Sequence, residues 1–580
     1  MHLLRRFRIP AVFCALAVLL CELISHPFAE MGISDDGPYV VMAHTLAATG
    51  HILYTGWAAP MLVWQLVLAA AFVKLFGFSY SVVRMSTILI AMAMAFVLQR
   101  ILVRANISER NATFGTLTLV LSPLYLVLSA TFLTDITGLF AIVICLYGCL
   151  RALQSITDNS AIAWLCFAVI TNAVFGTSRQ IAWLGILVIL PSTLWLLRSR
   201  SRVLLAGSAA TLAGVLFIVA CLQWLKHQPY SIPEHLLPDI FPFAHTLGEF
   251  VHTFLDIPFL LLPLFALFLP QLWKTRPRIR ILIAAIALVY LLLAIHLRYT
   301  HPDFLLEPTA GARGGWVGVH GIHEGTDLLG EPPILLHTGL QILITIVSIG
   351  GLLGLLASFL WHNPSLAADP ASTGTSYPAV SWKQLAILLV PYTAVYTLLL
   401  LPRATNLLFD RYMLGPLIVL VLCLVRYYQH KVDPRIPVAG LLLLAIMAAF
   451  GVVLTHNTFA FYRARVALAA ELHAAGIPDT SFDDGWEHNF DVELQHSNHI
   501  NFPTITIPAH AYIPTPQPSP FHCHAFWYDY TPHIHPLYGV SFDPSACYGP
   551  APFAPAHYSR WPYATPGTLY VVRYTSPSHP

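Results

Sequence analysis

The sequence predicts an all-α polytopic membrane protein of about 13 transmembrane helices with a small C-terminal extracytoplasmic α+β domain. Three observations predict it. The 580 residues are 57% hydrophobic and only 10% charged, with a mean hydropathy of +0.68, whereas a soluble domain carries about a quarter charged residues. Apolar runs of roughly 16–25 residues recur along the chain, each long enough to cross a ~30 Å hydrocarbon layer. Residues 456–580, by contrast, are rich in His, Pro, Tyr and Phe and hold no such run. The formal net charge of +2 gives no reason to expect a nucleic-acid partner.

The first run, 9–28, follows Arg5, Arg6 and Arg8 and continues through Ile24. No small-residue cleavage site stands out at Ser25-His26-Pro27-Phe28, so it reads as a signal anchor that stays in place. Further spans are expected near 82–103, 111–130, 136–153, 161–176, 181–197, 203–224, 256–272, 281–298, 334–360, 384–401, 412–428 and 437–455. One set of connections is basic: the N-terminus, Arg100/Arg104/Arg110, Arg198 to Arg202, Lys274 to Arg280, and Arg426 to Arg435. The positive-inside rule makes these cytoplasmic. The alternate connections, 29–60, 131–135, 177–180, 225–255, 299–333 and 402–411, hold most of the acids.

Residues 61–78 are also apolar, but a crossing there would carry Arg100 and Arg104 outside. With Trp64, Gln65 and Lys74 inside it, the segment reads as an interfacial helix within a first outer loop, 29–81. Parity then places the N-terminus in the cytoplasm and the tail outside, in a multi-pass protein of the inner (plasma) membrane. The expected division is a membrane domain over 1–455 and an extracytoplasmic domain over 456–580. The tail should open with a helix over 461–475 and contain strands at Ile500–Ile507 and Thr568–Tyr574. Residues 362–381 read as a Pro/Ser/Thr/Ala linker.

Candidate chemistry gathers on the acid-rich side. Ser34-Asp35-Asp36-Gly37-Pro38-Tyr39 lies just past the first span. Ser34 or Asp35 could cap a helix begun near Pro38, but two adjacent acids exceed what a cap needs. Thr134-Asp135 and the lone arginine of Ser178-Arg179-Gln180 face the same compartment, as does Phe409-Asp410-Arg411-Tyr412 with Arg403 nearby. The glycine-rich loop 299–333, with His320, His323 and Glu324, suggests a lid or acceptor loop; a plain solvated loop is the alternative.

These residue types suit transfer of a sugar from a polyprenyl-phosphate carrier. A carboxylate takes the acceptor's proton as it attacks the anomeric carbon. Nearby carboxylates stabilise an oxocarbenium-like transition state. The phosphate leaves as a stable anion, so it needs cations rather than an acid. Arginine suits that task through forked hydrogen bonds.

Residues 1–455 resemble the GT-C class of integral membrane glycosyltransferases, in particular the dolichyl-phosphate-mannose protein mannosyltransferases and the aminoarabinose transferases of lipid A. The resemblance rests on Asp35-Asp36 and the helix after it, Gly50-His51, Leu75-Phe76-Gly77 leading to Val83-Arg84, Ser122-Pro123 before Phe132-Leu133-Thr134-Asp135, and Phe409-Asp410-Arg411-Tyr412. It implies a catalytic set of Asp35 as base, Asp36 as its neighbour, and Asp135. Where relatives often carry Lys-Pro-Pro or His-Pro-Pro, this chain has Ala58-Ala59-Pro60. That departure leaves Arg179 or Arg411 to bind the donor phosphate. The implied partners are a polyprenyl-phosphate-linked sugar donor, a lipid, glycan or protein acceptor, and membrane lipids. A secondary transporter or flippase is the competing reading, but the acids sit at one face and no internal repeat is visible.

Seven cysteines fall in apolar segments and read as small core residues. Cys523 and Cys547 lie in the tail and can pair if it is extracytoplasmic. His522-Cys523-His524 and His533-Ile534-His535 match no clean zinc spacing. No cofactor is therefore assigned, and a divalent metal stays open.

Overall fold

The computed structural model describes residues 9–232, 242–300, 316–322, 328–360, 378–402, 408–516, 523 and 526–575. His323, Glu324, Arg403, His522, His524 and most of the 362–381 segment lie outside those residues. The protein is mostly helical. In chain order the helices are α1 (Ile9–Ser25), α2 (Asp36–Thr49), α3 (Val63–Phe76), α4 (Tyr80–Arg104), α5 (Glu109–Val120), α6 (Pro123–Ser129), α7 (Thr134–Leu153), α8 (Asp158–Phe175), α9 (Leu190–Leu196) and α10 (Ser201–Lys226). There follow α11 (Phe243–Leu260), α12 (Leu262–Ala266), α13 (Gln271–Lys274), α14 (Pro277–Thr300), α15 (Thr338–Leu360), α16 (Trp382–Leu400), α17 (Leu414–Tyr427), α18 (Val438–Ala474) and α19 (Gly485–Ser497). Among the described residues, eight helices are long and apolar enough to cross a membrane, or nine if the bent pair α5–α6 counts as one span.

Several expected spans are interrupted, each for a local reason. The 111–130 segment bends by 68° between α5 and α6. Pro123 cannot continue the hydrogen-bond ladder, and the Ser122 hydroxyl caps the new helix by accepting from the Tyr125 amide. The 181–197 segment is a 3₁₀ turn over Gln180–Trp183, a π turn over Gly185–Ile189 and then α9. Asn172 repairs the broken ladder there, donating to the Ala182 carbonyl at 2.9 Å and accepting from the Ile186 amide at 3.0 Å. The 256–272 segment is divided among α11, α12 and α13, with Pro263 and Pro270 at the starts of the two later helices and Pro258 inside α11. In the other direction, the expected span 437–455 and helix 461–475 are one helix, α18, which passes residue 455 without a break.

Helix α3 lies across one end of the bundle. Its start is tied to the α8 C-terminus, where the Leu62 and Trp64 amides donate to the Ser178 carbonyl and Thr177 hydroxyl. Its end leads to Tyr80, whose amide donates to Glu30 and whose hydroxyl donates to Asp491 of the tail. At 14 residues it spans about 21 Å, short of a hydrocarbon layer. The opposite end of the bundle gathers the basic connections. There Arg104 donates to Gln154, Arg426 to the Val380 carbonyl and Arg200 to Asp158.

The tail packs on the end that carries α2 and α3. Strands β3 (Phe482–Asp483), β4 (Tyr538–Ser541), β5 (Ala556–Tyr558) and β6 (Gly567–Arg573) form a sheet in the order β3-β4-β6-β5. Here β3 pairs parallel to β4, and the other pairs are antiparallel. (Strands β1, Val317–Gly318, and β2, Gly321–Ile322, form a separate hairpin earlier in the chain.) Val540, Leu569 and Val571 bury one face of the sheet with Leu468 and Leu472 of α18. Residues 500–507 are not the strand the sequence suggested. Pro503 and Pro508 deprive the segment of ladder donors, and it docks on the first outer loop instead. The Ile500 amide donates to the Thr55 carbonyl at 2.7 Å, and the Ile507 carbonyl accepts from Tyr230 at 2.6 Å. Cys523 and Cys547 are joined in a disulfide with Cα atoms 5.4 Å apart.

Candidate active site

The two adjacent acids part company. Ser34 adopts a left-handed backbone, φ 53°, and the chain turns into α2 so that Asp35 and Asp36 face opposite ways. Asp36 is fully buried. Its carboxylate receives a two-pronged hydrogen bond from Arg84, Nε to Oδ2 at 2.9 Å and Nη2 to Oδ1 at 3.0 Å. The Ile33 and Phe132 amides complete its shell at 2.7 and 3.0 Å. Arg84 also donates to the Ala29 and Met31 carbonyls. Asp36, expected in the catalytic set as the neighbour of Asp35, lines no part of the cavity beside Asp35 and ties the loop to Arg84 and Phe132 instead.

Asp35 occupies the cap position of α2, but its side chain makes no capping bond. It turns into a cavity of about 370 Å³. Oδ1 accepts from Trp57 Nε1 at 2.9 Å, and Oδ2 from Arg411 Nη2 at 3.1 Å. Arg411 also reaches Asp135, Nη1 to Oδ2 at 3.9 Å. Asp135 in turn pairs with Arg179 Nη1. The result is an alternating row, Asp35–Arg411–Asp135–Arg179, contributed by four separate segments of the chain. All four line the cavity, so the structure brings together four of the five acids and arginines singled out in the sequence.

Aromatic rings hold the cations. Arg411 lies 4.5 Å from the Phe409 ring centre and 5.3 Å from that of Trp316, and Arg179 lies 4.9 Å from that of Tyr412. Asp410 does not reach the cavity. It accepts from the Trp316 and Val317 amides at 2.9 and 3.2 Å and so anchors the 316–322 hairpin beside Arg411. Arg411 Nε is buried with no acceptor among the described residues, which leaves the guanidinium donor capacity beyond its two carboxylates. Tyr39 lines the cavity next to Asp35. Burial first, and the Asp35 charge second, push its phenol well above the usual range, so it stays a neutral hydroxyl. The wall then turns apolar through Ile181, Leu184, Leu187, Leu399 and Leu400. Leu187 and Leu399 are 47% and 37% exposed, which opens that side toward lipid.

His320 stands elsewhere. It lines a smaller cavity against Phe461 and Tyr462 of α18, so among the described residues the expected lid contributes Trp316 to the site and not His320. Among the described residues no group of three or more His, Cys, Asp or Glu side chains could hold a metal ion. Trp57 and Tyr396 were missed in the sequence. Neither sits in a charged motif, and Trp57 is paired with Asp35 only by folding.

Residues 58–227 match the family model of dolichyl-phosphate-mannose-protein mannosyltransferase. That stretch carries Asp135 and Arg179 but not Asp35, Trp57 or Arg411. No curated protein matches the chain. Among solved structures, apo ArnT from Cupriavidus metallidurans is 16% identical, with 97% of each chain covered and a TM-score of 0.41. The same protein bound to undecaprenyl phosphate is 14% identical over 98% of each chain, with a TM-score of 0.39. The S. cerevisiae protein O-mannosyltransferase Pmt1-Pmt2 complex bound to the sugar donor is 15% identical, covering 37% of this chain and 32% of that one, with a TM-score of 0.30. Likenesses of this size carry no functional argument.

Proposed function

We propose that this chain is a membrane glycosyltransferase that moves a sugar from a polyprenyl-phosphate donor to a lipid, glycan or protein acceptor at the outer face of the plasma membrane. The observation that carries the proposal is the alternating acid–arginine row at the head of a cavity whose far wall is apolar and open toward lipid. The family match over residues 58–227 supports the same reaction class. In this scheme the polyprenyl chain lies along Leu184, Leu187, Leu399 and Leu400, and the phosphate rests against Arg411 and Arg179. The acceptor hydroxyl or amine attacks the anomeric carbon while Asp35 takes its proton. The bond from that carbon to the phosphate oxygen breaks, and polyprenyl phosphate departs with the electron pair. Arg411 and Arg179 neutralise the departing anion, and Asp135 fixes both cations. The N-terminus is cytoplasmic, and residues 456–580 form an extracytoplasmic unit.

The test is Asp35→Asn in the purified full-length protein, assayed by release of polyprenyl phosphate from a panel of polyprenyl-phosphate sugars in the presence of a membrane extract. Turnover should fall by a factor on the order of 10²–10⁴, with thermal unfolding and elution unchanged. Turnover equal to the unsubstituted protein overturns the assignment of Asp35.

A further inference from the structure

The residue that donates to Asp35 Oδ1 is itself held from outside the membrane bundle. Trp57 donates to Asp35 Oδ1 at 2.9 Å. Its indole is surrounded by four rings of the tail: Phe490 at 4.8 Å between centres, Trp486 at 5.0 Å, Phe502 at 5.3 Å and Tyr530 at 5.9 Å. Every one of these contacts is edge-to-face, with interplanar angles of 70–88°. That geometry suits the aromatic quadrupole and fixes the ring plane, and with it the direction of the Nε1–H bond. Phe490 is 1% exposed and Trp486 is 9% exposed, so the cage is a packed core and not a surface contact.

A second tie runs from the same turn of α19. Glu487 Oε1 accepts from the Ser34 amide at 3.2 Å, on the residue before Asp35, whose left-handed backbone is unfavourable for a residue with a side chain. Glu487 is held in turn by Tyr462 and by Arg465, the latter at 3.1 Å. Arg465 also binds Asp484 at 3.0 Å, and burial pushes the Asp484 carboxyl up to about 6. Two neighbouring residues of the tail, Trp486 and Glu487, therefore act on Asp35 indirectly, one through Trp57 and one through the backbone of Ser34.

We propose that the C-terminal region is a positioning clamp for Asp35, with Trp57 as the positioning residue through which it acts and Glu487 as the backbone tie. The clamp rests on Asp35 being the base, and it gives residues 485–530 a part in the reaction without contact to the substrate. Misplacing a reacting group by about 1 Å is enough to cost a hundredfold in rate, while donor binding depends on the arginines and the apolar wall, and the Trp57 Nε1 hydrogen bond goes to Asp35 and not to them.

The experiment uses the full-length protein in detergent with Trp57→Phe, which keeps the ring in its cage and removes the one donor. A second variant, Phe490→Ala, leaves Trp57 intact and opens the cage from the tail side. In both, kcat should fall about tenfold to a hundredfold with the KM for the polyprenyl-phosphate sugar within about threefold. Hydrogen–deuterium exchange of peptides covering residues 29–40 should accelerate in both, while peptides of α7 and α17 stay as they were. Unchanged exchange over 29–40, or a loss carried by KM with kcat preserved, overturns the clamp. Exchange is read without any turnover, so a protein with no transferase activity defeats the proposed reaction while the clamp is still decided by the exchange data.

Discussion

Asp35 and Asp36 are adjacent and chemically identical, yet their surroundings give them separate work. Asp36 is enclosed by Arg84 and two amides, and removing one partner of a buried ion pair typically costs about 3–5 kcal/mol because the other charge is left uncompensated. Asp36→Ala should therefore lower the unfolding temperature and the yield of folded protein, whereas Asp35→Asn should lower turnover alone; thermal unfolding of the two purified variants side by side checks this. The acid pair was legible in the sequence, as were Asp135, Arg179 and Arg411. The division of labour was not, because it depends on Arg84, 48 residues away, and on the amide of Phe132, 96 residues away. Trp57 left no signal at all, since a lone tryptophan in an outer loop has nothing in its neighbours to mark it.

At the level of elements, apolar run length found nearly every helix, and the places where it failed carry visible punctuation. Pro123, Pro263 and Pro270 stand at breaks that apolar run length alone smooths over. The Ile500–Ile507 run alternates like a strand, but prolines at 503 and 508 remove the donors a ladder needs. Close helix contacts depend on glycine. A Cβ at Gly354 of α15 would sit 2.3 Å from the Phe268 carbonyl oxygen, and one at Gly351 would sit 2.8 Å from that of Phe265. These small residues let α15 approach the α12 segment backbone to backbone, as small-residue faces do between membrane helices. Gly354→Val should force the two apart and cost about 1–3 kcal/mol; a drop in melting temperature in detergent, with the Gly339→Val control unaffected because nothing lies within 4 Å of that position, is the expected result.

Across the whole molecule, charge and chemistry separate to opposite ends. The basic connections meet at one end, while the acid–arginine row, α3 and the tail share the other. The proposed topology puts the first in the cytoplasm, on positive-inside bias. An alkaline phosphatase fused after Pro580 should then be active and a fluorescent protein fused there dark; the reverse pattern would invert the whole arrangement. The parity behind this expectation came from a few arginines, and the geometry of α3 explains why residue counting alone was insufficient: the helix is apolar, yet both its ends are tied to the same face.

The last helix has a further consequence. At 37 residues, α18 is about 55 Å long, against a hydrocarbon layer of ~30 Å. The excess cannot slide into the lipid, because Arg465 sits on it, buried and paired with Asp484 and Glu487 of the tail. That cluster works as a depth stop. It sets how far the protein sinks, so a bilayer of altered thickness must deform around the protein or tilt the bundle, and the level of the Asp35 cavity relative to the headgroups stays set by the protein.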